Sequence, residues 1–247
     1  MKLEVQSVRK TFVENGQTTI ALDDLTFSAD AGEFVTLIGP SGSGKSTAFN
    51  LITGLTMPDQ GNIILDGQRI NGRTGLVSYM PQRDLLLPWR TIRDNVIIGA
   101  EISGQARSKA YQRAEELFPL FGLEGFEKAY PSALSGGMRQ RAALLRTFLL
   151  GKGTMLLDEP FGALDALTRY DLQQWLLGVW ERFKPTILFI THDVREAVLL
   201  SDKVLVLTPR PGKIKLEVRI DLPQPRDDSS VEFIKLQSML LKALQER

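Results

Sequence analysis

Gly39, Pro40, Ser41, Gly42, Ser43, Gly44, Lys45, Ser46 and Thr47, reading GPSGSGKST, form the stretch on which the reading of this chain turns. It satisfies the phosphate-loop pattern G-x-x-x-x-G-K-[S/T] in full. The apolar run Phe34–Ile38 leads straight into it, and after Lys45 the residues Ala48, Leu51 and Ile52 recur at helical spacing until Gly54 offers a stop. The predicted unit is strand, loop, helix. Its glycines let successive backbone N–H groups converge on phosphate oxygens, and the helix N-terminus adds partial positive charge at the same place. Lys45 is expected to neutralise the β and γ phosphates of a nucleotide, and the Ser46 hydroxyl to ligate Mg²⁺. A flexible glycine-serine turn has the same composition, but it does not call for a strand before it and a helix after it.

Further along, Met155-Leu156-Leu157 is a second apolar run, closed by Asp158-Glu159-Pro160. A buried strand there carries both carboxylates out towards the phosphate site. Asp158 is then placed to hold Mg²⁺ through its water shell, and Glu159 to orient or deprotonate an attacking water. Alone, Asp-Glu-Pro after a strand reads as a solvated turn; the phosphate loop reverses that preference. His192, the single histidine, follows the run Ile187–Thr191 as Glu159 follows its own. A lone histidine is ordinarily a surface or core residue, whereas one at a strand end is placed to contact the γ-phosphate and the water. Gln82, in Tyr79-Met80-Pro81-Gln82, marks the passage into a different kind of sequence, and its amide is expected to reach metal or water and to report the nucleotide state. Ser135, Gly136 and Gly137 precede a helix carrying Arg139, Gln140 and Arg141. They suit a second phosphate contact, yet one nucleotide cannot readily use two separate cradles in one subunit, which hints at a dimer. The alternative is a helix-opening turn with arginines on a solvated face.

Around these motifs the chain alternates in character. Val5, Phe12, Ile20, Leu22, Leu25 and Phe27 fall in β-prone stretches broken at Glu14–Gln17 and Asp30–Gly32, predicting antiparallel strands. From about Arg83 to Leu150 the pattern is helical, with Tyr111, Ala114, Leu117, Phe118 and Phe121 in phase and Gly122 as a stop. Apolar runs at Met155–Leu157, Ile187–Ile190 and Val204–Leu207 then alternate with helical segments, as buried parallel strands with crossover helices do. Prolines at 209, 211, 223 and 225 predict turns or a short edge strand. Ser229 and Glu232 have capping-box spacing before Phe233, Leu236, Leu240 and Leu244, an amphipathic terminal helix expected to pack on the body.

Bulk properties narrow the function. The 247 residues carry a formal net charge of +1 without a basic field, which argues against a nucleic-acid partner. The absence of cysteine excludes disulfides, thiolate catalysis and Cys-ligated zinc. No apolar run approaches the roughly 20 residues needed to span a bilayer, and MKLEVQSVRK has no leader pattern, so the chain is expected to be soluble by itself.

With these residues in place, the stretch from about Met1 to Lys215 resembles the nucleotide-binding subunit of an ABC (ATP-binding cassette) transporter. The motifs stand in that family's order: Walker A at Gly39–Thr47, Q-loop Gln82, signature Leu134–Arg141, Walker B Met155–Glu159, D-loop Ala163-Leu164-Asp165 and switch His192. The resemblance implies an α/β fold, a RecA-like P-loop NTPase core with an antiparallel β subdomain and a helical subdomain insert. Within a single domain over 1–247, residues 1–82 and 151–220 would form the core and β subdomain, 83–150 the helical subdomain and 221–247 a C-terminal helical extension. It implies ATP and Mg²⁺, with Ser46, Gln82 and Asp158 at the metal, and Glu159, His192, Lys45 and Gln82 in catalysis. It implies two copies sandwiching two ATP molecules head to tail, with Ser135–Gly137 of one covering ATP held by Lys45 of the other. Phe12 matches the aromatic that stacks on adenine, commonly a tyrosine, and Met138 stands where glutamine is most frequent. The segments QRDLLLPWRTIRDNV (Gln82–Val96) and Arg210-Pro211-Gly212-Lys213-Ile214 look like the nitrate, sulfonate and taurine importer group, which includes systems for hydroxymethylpyrimidine-type precursors. That match implies a peripheral ATPase on the cytoplasmic face of the inner membrane, with permease subunits and an extracytoplasmic substrate-binding protein. A soluble ABC-type ATPase not coupled to transport is the alternative. The apolar Leu85–Trp89 segment reads either as buried core or as a groove for a short permease helix.

Overall fold

The computed structural model describes residues 1–162 and 164–246; Ala163, the first residue of the expected D-loop, and Arg247 lie outside the described residues. The elements run β1 (Leu3–Glu14), β2 (Gln17–Ala29), β3 (Phe34–Ile38), α1 (Lys45–Ile52), β4 (Gln60–Leu65), β5 (Gln68–Arg69) and β6 (Ser78–Met80). Then come α2 (Ile92–Val96), α3 (Ile98–Ile102), α4 (Arg107–Leu117), α5 (Gly136–Leu149), β7 (Thr154–Asp158) and α6 (Ala166–Phe183). The chain ends with β8 (Thr186–Ile190), α7 (Val194–Leu200), β9 (Lys203–Leu207), β10 (Ile214–Arg219) and α8 (Val231–Gln245). Two compact units result: Met1–Val77 with Phe183–Arg247, and Ser78–Arg182.

In the first unit, β1 and β2 form a long hairpin closed by Asn15 and Gly16, both at positive φ, with Glu14 opposite Gln17. An Asn-Gly pair is the usual solution for a two-residue turn whose twist must match the strands. β4 pairs with β1 and β5 with β4, all antiparallel. A parallel group lies beside them: β3 pairs with both β8 and β9, and β10 adds antiparallel to β9. Every residue of β3, β8 and β9 is buried, which is why these strands read as near-continuous apolar runs, Thr36, Thr186 and Lys203 excepted, and not as alternating ones. Leu37 stands opposite Ile190, and Ile38 opposite Val206. The segments that follow β3, β8 and β9 therefore leave at one edge, where open parallel sheets receive ligands.

The C-terminal helix packs through Phe233, Leu240 and Ala243. Its cap is Ser230, which accepts from Phe233 N at 3.3 Å, and not the expected Ser229. The Asp227 carboxylate takes the Ser229 amide (2.9 Å) and hydroxyl (2.6 Å), so the helix starts one residue later. Arg226 donates to the carbonyls of Val198, Leu199 and Ser201 at the end of α7, meeting the last acceptors of that helix with a cation.

The second unit holds the parallel pair β6 and β7 with α2–α5 and most of α6. Its bounds are wider than the predicted insert 83–150, because both strands and α6 gather with it. α4 ends at Leu117, one turn before the stop predicted at Gly122. Pro119 has no N–H with which to continue the ladder, although Phe118 before it keeps helical dihedrals (φ −52°, ψ −46°), and Phe118 and Phe121 remain buried. The Phe121 ring meets Trp175 edge-on at 4.9 Å, and the indole N–H of Trp175 donates to Leu120 O at 2.8 Å.

Candidate functional site

The phosphate loop joins β3 to α1 through Gly42 and Gly44, at φ 78° and 92°. Gly44 is the N-cap of α1, with no side chain capping that turn and no acidic residue in it. The end keeps the partial positive charge of a helix N-terminus. Close packing also leaves no room for a side chain at Gly44 or Gly39. A Cβ on Gly44 would stand 2.6 Å from Leu22 Cδ2, and one on Gly39 would stand 2.8 Å from Ser43 Oγ. Lys45, almost fully buried, donates to Gly39 O (2.8 Å), Pro40 O (3.1 Å) and Ser43 Oγ (3.4 Å). A cation held inside a glycine-lined turn at a helix N-terminus is a donor set suited to the charge of a polyphosphate.

Beside the loop, Phe12, Glu14, Thr19, Ala21, Thr47 and Arg210 line a cavity of about 230 Å³. Phe12 is 39% exposed, with the Lys10 ammonium 5.6 Å from its ring centroid. The segment after β9 supports both loop and cavity. Gly212 N donates to Ala21 O (2.9 Å), Asp23 N donates to Gly212 O (3.2 Å), and Lys213 pairs with Asp23 at 2.9 Å.

His192 is exposed at the end of β8. Its neighbours fix the backbone: the buried Thr191 hydroxyl donates to Glu196 Oε2 (2.5 Å) and accepts from Asp193 N (3.0 Å). Asp193 caps α7 through Arg195 N (2.8 Å) and Glu196 N (3.3 Å). The register that places Ile190 opposite Leu37 puts His192 at the same strand edge as the phosphate loop.

The carboxylate pair belongs to the second unit. Met80 stands opposite Leu157, so Gln82 and Glu159, each two residues further on, emerge together. Gln82 Nε2 donates to Glu159 Oε2 at 3.2 Å. Glu159 has φ 45°, a left-handed conformation that a side-chain-bearing residue adopts at a cost of about 1–3 kcal/mol. Asp158 is buried, and Tyr79 Oη donates to its Oδ2 at 3.5 Å. Burial, and then the Asp158 charge, push the Tyr79 hydroxyl up to about 12, so it stays a donor at neutral pH.

Ser135 is the N-cap of α5 and accepts from Met138 N at 3.2 Å, so Gly136 and Gly137 form the first turn of that helix. A Cβ on Gly137 would meet Thr168 Cγ2 at 2.7 Å. The arginines of α5 are not on a merely solvated face. Arg139 donates to Leu134 O (2.8 Å) and pairs with Asp84 (3.4 Å), while Arg146 donates to Leu85 O at 2.7 Å. Arg141 lies 5.5 Å over the Trp175 ring.

The phosphate loop, Phe12 and His192 thus belong to the first unit, and Gln82, Asp158, Glu159 and Ser135–Gly137 to the second. Among the described residues no group of three or more His, Cys, Asp or Glu is placed to hold a metal ion. The set named from the sequence, a hydroxyl, an amide and a carboxylate, suits Mg²⁺, which keeps waters and takes phosphate oxygens instead of a carboxylate cage. Sequence reasoning passed over Tyr79 and gave Arg210 no role at a site. The signals available were the position of Tyr79 on a short strand before Gln82, and an Arg-Pro-Gly-Lys run at the third strand end.

Residues 22–162 match the family described as ABC transporter. The aliphatic sulfonates import ATP-binding protein of a Bacillus cereus strain is 40% identical over 98% of this chain and 95% of its own length. The formylaminopyrimidine import ATP-binding protein of Halalkalibacterium halodurans is 45% identical over 90% of this chain and 86% of its own. A solved dimeric ATP-binding cassette in a post-hydrolysis state, bound to ADP and Pi, is similar with a TM-score of 0.77 at 27% identity, covering 90% of this chain and 100% of that one.

Proposed function

This chain belongs to the ABC transporter family as an ATP-binding, ATP-hydrolysing subunit, and from that premise we propose that it energises a membrane importer for a small solute. The solute class is nitrate, an organosulfonate or a vitamin precursor. Support comes from the relatives named for sulfonate and formylaminopyrimidine import. In this reading Lys45 and the loop amides hold the triphosphate, Phe12 meets the adenine, and Ser46, Gln82 and Asp158 serve Mg²⁺. The metal, when bound, neutralises charge on the phosphoryl oxygens. Glu159 orients or deprotonates the attacking water, and His192 holds the γ-phosphate end. Ser135, Gly136 and Gly137 act on ATP held by a second copy, so that two chains close head to tail.

One observation carries the coupling to a permease. Leu85 and Trp89, just after Gln82, are 58% and 71% exposed, while the backbone at Leu85 is tied by Arg146 to the helix that Ser135 caps. Exposed apolar side chains on a backbone anchored beside nucleotide-sensing residues are suited to gripping a partner helix and moving it as a body. Among the described residues no helix is long and apolar enough to cross a membrane, so membrane association would run through permease subunits on the cytoplasmic face. An extracytoplasmic binding protein would deliver the solute to them. Leu86 is buried; a crosslinking cysteine belongs at Leu85, and the chain's lack of native cysteine makes a single one unambiguous.

The test is reconstitution of this subunit with candidate importer permease subunits, measuring ATP-dependent uptake of nitrate, alkanesulfonates and aminopyrimidines. Uptake of one class, with a Leu85→Cys crosslink to a permease loop, supports the proposal. ATP turnover with no permease association in an otherwise competent complex supports the soluble alternative.

A further inference from the structure

The cavity beside the phosphate loop contains a side chain to which the nucleotide reading assigns nothing. Arg210 follows β9, the third strand to open at the same edge, and its Nε donates to Gly42 O, at the loop apex, at 3.3 Å. One Nη lies 3.3 Å from where a Cβ on Gly42 would stand, so the guanidinium passes directly over that bare turn. Its position is set from behind. Gly212 is hydrogen-bonded to β2 at both its amide and its carbonyl, and a Cβ there would stand 2.0 Å from Ser43 O. Arg210 also lines the cavity, together with Phe12, Glu14, Thr19, Ala21 and Thr47.

We infer that Arg210 is a nucleoside-contacting residue: its planar guanidinium and the Phe12 ring together hold the adenine end of the nucleotide. The inference rests on the ATP-binding reading above and deepens it. Three features favour the nucleoside end over the phosphates. The cavity, at about 230 Å³, falls below the roughly 300–1,000 Å³ of sites that enclose a whole drug-sized ligand, so it suits a flat ring whose charged tail lies on the loop outside. The acidic residue Glu14 is among those lining this cavity, and its negative charge disfavours a phosphate there. Arginine, unlike lysine, offers a flat face that stacks on π systems.

Binding of ATP, GTP and inorganic tripolyphosphate to the full chain, measured by calorimetry with Mg²⁺, tests the inference. Arg210→Ala and Arg210→Lys are compared with the parent, and thermal melting checks that each is folded. Both variants should bind ATP about tenfold more weakly, as expected for loss of the stacked planar guanidinium, which lysine's ammonium does not replace, with tripolyphosphate affinity unchanged within about twofold. Equal loss for ATP and tripolyphosphate would show Arg210 acting on the loop or the phosphates, and would overturn the inference; so would unchanged ATP affinity, or full rescue by Arg210→Lys. Should Arg210→Ala not fold, Arg210→Lys and Arg210→Met decide by the same ratio. Failure of the parent to bind ATP would instead defeat the underlying nucleotide reading.

Discussion

At Lys45 the ammonium is held by two loop carbonyls and one hydroxyl within its own turn, so its reach towards phosphate is set by backbone that the glycines shape. Lys45→Ala should lower ATP affinity by about 10–100-fold, the range for losing a hydrogen bond to a charged group of roughly 1.5–3 kcal/mol. Unchanged affinity by calorimetry would remove Lys45 from the phosphate site. Glu159 holds an unusual φ and shares a hydrogen bond with Gln82, and this orients its carboxylate. Glu159→Gln should keep ATP binding and slow phosphate release in a turnover assay by about 10²–10⁴-fold; wild-type turnover would assign the base elsewhere. Gly212 is a different kind of residue, chemically silent but packed on the loop. Gly212→Ala drives a methyl towards Ser43 O, and overpacking of about 1–3 kcal/mol should lower Tm by about 2–12 °C together with ATP affinity. A Tm matching the parent's would mean that the Gly212 segment does not brace the loop.

At the scale of elements, the short helix α2 shapes the segment in front of it. Asn95 is fully buried and spans the turn from Leu87 to Thr91: its Oδ1 accepts from Leu87 N (2.7 Å), and its Nδ2 donates to Leu87 O (3.1 Å), Arg90 O (3.1 Å) and Thr91 O (3.0 Å). Asn95→Leu would remove the Asn95 partner of Leu87 N and Arg90 O, each costing about 1–3 kcal/mol when buried, while Leu87 O keeps the Arg90 amide and Thr91 O keeps the amide of residue 95. A Tm loss of roughly 5–15 °C should follow, with Trp89 fluorescence reporting a loosened segment. Trp89→Ala makes the opposing prediction. Since Trp89 is largely exposed, its removal should leave Tm nearly unchanged and ATP binding by the isolated subunit intact, while transport per ATP hydrolysed falls in the reconstituted complex. A large drop in Tm for Trp89→Ala would return the segment to the hydrophobic core.

At the scale of the whole molecule, the phosphate loop and the helix capped by Ser135 fall in different compact units, and the proposed cycle closes two copies around shared ATP. The Glu159→Gln variant, unable to clear its nucleotide, should therefore run as a dimer on size-exclusion chromatography in Mg-ATP and as a monomer without it. A monomer at saturating Mg-ATP counts against the shared site.

Sequence alone determined whatever depends on local order along the chain. The phosphate loop, the buried strands Phe34–Ile38 and Ile187–Ile190, and the Asn-Gly hairpin need only short-range periodicity and glycine permissiveness. The order of the motifs carried the family reading because each motif is itself a short contiguous string. Tertiary structure decided what depends on register and on competition between neighbours. Gln82 meets Glu159 only because β6 and β7 pair with Met80 opposite Leu157. Arg210 reaches Gly42 across 168 positions only because β9 lies beside β3. Leu85 and Leu86, chemically identical in sequence, part into exposed and buried where the backbone turns left-handed at Leu85 (φ 47°) and its carbonyl is held by Arg146. The cap passed from Ser229 to Ser230 because Asp227 binds the first serine more closely. Such choices rest on distances that a linear pattern does not contain, and they set the geometry in which the proposed chemistry would take place.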